Sequence, residues 1–141
     1  AREELILSLN ILLGQDTPYQ MAPLLGLCQM VEEISGVSCA PNKPFVGVRN
    51  YMRESGIGVD LVMKEPLAMF ATDPHFFNRS AHVALGKKSG KASILYYLEQ
   101  MRLEATDEQV AEMLTLVKEK GIEKKGLLTQ EEFQSIVHQV L

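Results

Sequence analysis

A chain of 141 residues is about one domain's worth of polypeptide, enough for one modest core. Its hydrophobic share of 46% and charged share of 23% lie near globular averages, which argues against wholesale disorder. A net charge of −4 argues against a nucleic-acid partner, because displacing phosphate counterions needs a basic face. No apolar run approaches the roughly 20 residues needed to span a bilayer. The opening Ala1-Arg2-Glu3-Glu4 lacks the basic start of a signal peptide. A first residue of Ala1 rather than methionine implies a chain processed or cut from something longer. Cys28 and Cys39 carry no C-x-x-C pattern and read as free thiols of a reducing, cytoplasmic compartment; a Cys28–Cys39 bridge is the other reading.

In chain order, Leu5, Ile6, Leu9, Leu12 and Leu13 recur at helical spacing behind two acids suited to a helix N-terminus, and Gly14 ends the helix. Asp16-Thr17-Pro18 predicts a turn and a second helix start. Leu24, Leu25, Cys28, Val31 and Ile34 form its apolar face, with Pro23 near the first turn and Gly36 as the stop. Pro41 and Pro44 make 37–50 irregular. A short helix is expected over Val48 to Glu54, then an apolar segment at Val59, Leu61 and Val62. Residues 65–80 read as loop, and Ala81 to Leu85 as a short extended segment, the one candidate strand.

Ser89 is placed to cap a helix carrying Ile94, Leu95, Leu98 and Met101. Thr106-Asp107-Glu108-Gln109 and Thr129-Gln130-Glu131-Glu132 both have the capping-box form, with Leu128 and Phe133 at the positions of a hydrophobic staple. Residues 104–141 therefore predict a helical hairpin, with Gly121 beyond the first helix and its turn at Lys124-Lys125-Gly126. The fold class is mainly α, with at most one or two short strands.

Few motifs carry chemistry on their own. Gly86-Lys87-Lys88-Ser89-Gly90 has three residues between its glycines where a phosphate-binding P-loop needs four. It is an ordinary helix start or an anion site built on Lys87, Lys88 and Ser89. His75, His82 and His138 share no metal-ligand spacing. The stretch between the last two helices lacks the alternating oxygens of a calcium loop. In Arg53-Glu54-Ser55, the default is a polar helix end, while Gly56 and Gly58 suggest close backbone approach to a ligand or a neighbouring chain.

Taken together, the ordered motifs resemble the region that follows the catalytic barrel in 2-isopropylmalate, citramalate and homocitrate synthases. Gly14-Gln15-Asp16-Thr17, Val31 to Gly36, Pro41-Asn42-Lys43-Pro44 with Val46-Gly47, Arg53 to Asp60, Pro66 to Asp73-Pro74 and Leu85 to Gly90 fall at the family's spacing. The resemblance implies three parts: 1–16 as the last helix of a (β/α)8 barrel, 17–80 as a linker or lid, and 81–141 as a helical C-terminal subdomain. It implies a parent that binds a divalent metal on the barrel, uses acetyl-CoA and a 2-oxo acid, and forms a homodimer in which this region covers the partner's active site.

The family's catalytic histidine and tyrosine positions fall here on Gly58 and Met69, neither of which transfers a proton at neutral pH. No catalytic residue and no metal ligand is then expected in this chain. Arg53, Glu54 and Ser55 are substrate-binding candidates, Arg53 as a fixed cation for a carboxylate. The parent reaction is expected to be acyl transfer to a 2-oxo acid. The alternatives are an aldolase or lyase of the same superfamily, or a non-catalytic helical interaction module.

Overall fold

The computed structural model describes residues 1–141 and is mainly α, as expected. Six α-helices run over α1 (Arg2–Leu13), α2 (Leu24–Ser35), α3 (Val59–Lys64), α4 (Lys91–Met101), α5 (Asp107–Lys124) and α6 (Gln130–Val140). Two-residue strands β1 (Met52–Arg53) and β2 (His82–Val83) pair in parallel, with Met52 opposite His82 and Arg53 opposite Val83. Pro66–Ala68 and Pro74–Phe77 form single 3-10 turns. The chain divides into two compact units, each assembled from separated segments: 1–51 with 70–80, and 52–69 with 81–141.

The first unit closes around Leu7, Met21, Tyr51 and Phe77, with Ile6, Leu24, Phe45 and Phe70 packed on them. Tyr51 is buried, its ring stacks with Phe77 at 6.1 Å between centroids, and its hydroxyl lies 2.7 Å from Thr72 Oγ1. Burial pushes the Tyr51 hydroxyl's pKa up, against the pull of Thr72 and Arg79. The Arg79 guanidinium sits 4.8 Å from the Tyr51 ring centroid and donates to the carbonyls of Phe45, Gly47 and Val48. Those bonds explain a departure from expectation. The predicted helix over Val48 to Glu54 does not form, because Arg79 holds carbonyls that helical bonds would use, and 52–53 pairs as a strand instead.

The Pro41–Pro44 turn wraps onto Gly47, where an added Cβ would lie 2.5 Å from both Pro41 O and Lys43 N. Lys43 forms an ion pair with the buried Glu3. Burial raises the Glu3 pKa, but the Lys43 hydrogen bond and charge outweigh it and hold the carboxyl below the usual range. α2 begins at Leu24, six residues after Pro18, and its expected apolar face is not a core face, since none of its residues is buried. Ile34 is 80% exposed. Cys28 and Cys39 are free and half-buried, and burial, then Glu3, raises the Cys28 pKa.

The second unit holds the larger core: Leu85, Ile94, Leu98, Val110, Met113, Val117, Phe133, Ile136 and Val137. Both predicted capping boxes form, Thr106 with Gln109 and Thr129 with Glu132. The hairpin turn places Lys125, rather than Gly126, in the left-handed region, at φ 53°. Gly121 lies inside α5 rather than beyond it. Ser89 does not cap α4: the cap residue is Gly90, and the buried Ser89 hydroxyl accepts from the Gly86 N–H at 3.0 Å.

Candidate functional site

Within the second unit, β1 sets the base of the Arg53–Asp60 motif, and the Ala84 N–H donates to the Arg53 carbonyl at 2.9 Å. Past the strand, the chain presses directly onto the Leu85–Gly90 turn. A Cβ on Gly56 would lie 2.4 Å from Gly90 Cα, so the two motifs meet backbone to backbone. Glu54 Oε1 accepts from the Lys88 N–H at 3.0 Å, and a Cβ on Gly86 would lie 2.6 Å from that same oxygen. From the other side, Gly121 of α5 closes on the turn, since its added Cβ would reach 2.8 Å from Lys87 N. Four glycines thus permit a three-way approach that any side chain would block.

This geometry assigns the expected residues concrete partners. At the glycine-rich turn, the Glu54 carboxylate accepts from the Lys88 amide. Ser89 is turned inward, while the Lys87 and Lys88 side chains are exposed. Arg53 donates from Nε and Nη2 to the Ile57 carbonyl, at 3.2 and 3.0 Å. Ser55 Oγ accepts from the Ile57 N–H at 3.4 Å. The candidates Arg53, Glu54 and Ser55 are therefore brought together with Lys88 and Ser89, as the frame of one loop.

Gly58 and Met69, eleven positions apart, also meet. Gly58 takes φ 79° at the start of α3, and a Cβ there would stand 3.4 Å from Met69 Cε and 3.5 Å from Sδ. Met69 is set by the 3-10 turn, its N–H bonded to the Pro66 carbonyl at 3.0 Å. Neither residue of the pair is ionisable. Sequence reasoning missed two participants, Gly121 and Ile57. A glycine inside an otherwise helical stretch was the available signal for the first; nothing but its flanking glycines marked the second.

No group of three or more His, Cys, Asp or Glu side chains is arranged to hold a metal ion. His75 bonds Asp73, Nδ1 to Oδ1 at 2.8 Å, in an exposed turn, and His82 lines a cavity of about 470 Å³ together with Tyr96, Tyr97 and Phe133. No helix is long and apolar enough to cross a membrane.

Residues 45–125, more than half of the chain, match the family described as "Homocitrate synthase post-HMGL domain-like". The chain is similar over all 141 residues to "Homocitrate synthase AksA" of Methanocaldococcus jannaschii, at 38% identity and covering 34% of that protein. It is likewise similar to the "Homocitrate synthase AksA" of Methanopyrus kandleri, at 33% identity over 35% of that protein. The "Putative (R)-citramalate synthase CimA" of Archaeoglobus fulgidus is 31% identical over the full chain and 29% of its own length. The chain spans about a third of the length of the curated relatives it matches. On the match over 45–125 and the spacing of its interlocked motifs, the chain belongs to the homocitrate synthase post-HMGL domain-like family and is the C-terminal region of an isopropylmalate/homocitrate synthase-type protein.

Proposed function

We propose that this region serves a parent enzyme that condenses an acyl-CoA with a 2-oxo acid, acting as its lid and helping to build a homodimer. Residues 1–16 supply the last barrel helix, 17–80 the linker and 81–141 a helical C-terminal subdomain. One observation carries the reading: the similarity over all 141 residues to proteins named as homocitrate and citramalate synthases, with the Arg53–Asp60 and Leu85–Gly90 motifs meeting backbone to backbone. Those names favour condensation over the aldolase or lyase alternative. The exposed apolar residues of α1, among them Leu5 and Leu12, support packing against a preceding barrel rather than an independent interaction module.

A divalent metal in such a parent would polarise the 2-oxo acid and stabilise the enolate. No cluster of three or more His, Cys, Asp or Glu side chains in this chain is arranged to hold it. The acyl-CoA and 2-oxo acid are substrates of that whole protein. Here the chain's contribution is positional. Gly58 and Met69 supply no proton, so the acid–base groups of the parent reaction lie elsewhere. Arg53 gives one donor each from Nε and Nη2 to the Ile57 carbonyl, and the rest of its planar, delocalised cation remains to meet a substrate carboxylate.

The test is thiol release by the full-length protein, supplied with acetyl-CoA, a divalent metal and a panel of 2-oxo acids. The expected result is free CoA formed only when a 2-oxo acid is present. Cleavage of a hydroxy acid without any acyl-CoA consumption would replace this reading with the lyase one.

A further inference from the structure

The second unit contains a cavity of about 470 Å³ between β2, α4 and the start of α6, and none of the candidate residues of the loop lines it. That volume falls within the range of small-molecule sites. One wall is aromatic. Tyr97 packs 5.4 Å from Phe133 and edge-on to Tyr96 at 5.3 Å between centroids. The Tyr97 hydroxyl donates to the Val83 carbonyl at 2.5 Å, which fixes that ring before anything arrives. The polar side chains of the lining include the amides of Gln100 and Gln130 and the His82 imidazole, all on exposed residues. Each amide offers donors and an acceptor together.

What the lining lacks decides the charge of a ligand. No lysine, arginine, aspartate or glutamate contributes to it. A carboxylate or phosphate there would lose hydration without gaining a counter-ion, which costs far more than burying an uncharged ring. The 2-oxo acid and acyl-CoA of the reaction proposed above are anions, so this cavity does not suit them. We propose that the cavity is a binding site for an uncharged aromatic molecule with a hydrogen-bonding edge. Its ring packs against Tyr96 and Tyr97 in the offset or edge-to-face manner of aromatic pairs, and its edge meets the Gln100 and Gln130 amides. The site is separate from the condensation reading and does not depend on it.

The experiment titrates the full-length protein with benzamide and, as an anion of nearly the same shape, with benzoate, followed by saturation-transfer NMR. Benzamide should saturate with a Kd of about 1 mM, the range for so small a ligand. Benzoate should bind at least about tenfold more weakly. Tyr96→Ala should weaken benzamide about tenfold, whereas Tyr96→Phe, which keeps the ring, should match the wild type within about twofold. Gln100→Lys should reverse the preference, because it gives the cavity the cation that benzoate needs. Failure of benzamide to saturate, equal affinities for the two ligands, or unchanged binding by Tyr96→Ala would each overturn the site. If Tyr96→Ala does not fold, the benzoate comparison and the Gln100→Lys reversal still decide it.

Discussion

The two units solve the same problem differently. In the second, α4, α5 and α6 converge on nine buried residues, and two complete capping boxes fix where the hairpin helices begin. In the first, four buried residues form the centre, α2 buries none of its own, and α1 buries only Glu3 and Leu7. Helices as short as these depend on packing rather than on propensity. The helices of the second unit therefore share one buried core, whereas α1 and α2 keep apolar side chains such as Leu12 and Ile34 in solvent.

The sharpest way to break the contrast is to empty the larger core. Phe133 is 1% exposed, and Phe133→Ala should cost about 3–5 kcal/mol, read as a lower urea midpoint for the second unit. Next comes the backbone contact between the motifs. Gly56→Ala would place a methyl 2.4 Å from Gly90 Cα; relieving it should cost about 1–3 kcal/mol and separate the two loops, measured by denaturation and by faster amide exchange at Lys88.

Smaller effects test the caps. Thr129→Ala should remove about 1 kcal/mol. The Lys124 ammonium, then the Thr129 N–H, hold the Glu132 carboxyl below its usual range. A carboxyl with a depressed folded pKa contributes stability above its unfolded value and loses it as pH falls through the folded one. The thermal midpoint should therefore drop on acidification below about pH 4, and Glu132→Gln should flatten that slope. The smallest change belongs to α2: Ile34→Ser should leave the stability of this chain within about 0.5 kcal/mol, because the side chain is already in solvent. A large loss there would erase the contrast between the units.

How far the residues alone lead differs along the chain. Thr106, Gln109, Thr129 and Glu132 announce their helix starts because capping is a contract among neighbours three positions apart. The heptad-like apolar spacing of α5 and α6 is equally local. The resemblance was legible because its motifs are ordered in the sequence, whatever their contacts. Ser89 was misread for the converse reason: a serine before a helix looks like a cap, and only the tertiary turn shows its hydroxyl engaged with Gly86. The strand at Met52–Arg53 needs His82–Val83 beside it, and a two-residue ladder leaves no periodic trace.

Composition, helix content, the hairpin and the family follow from residues within a few positions of one another, where local hydrogen bonds and periodic burial act. The joining of Glu54 to Lys88, of Gly56 to Gly90 and of Gly58 to Met69 belongs to the folded chain, since each contact spans from eleven to thirty-four positions. Such contacts form only when distant segments are packed together, and packing is a property of the whole unit that no short window of sequence contains.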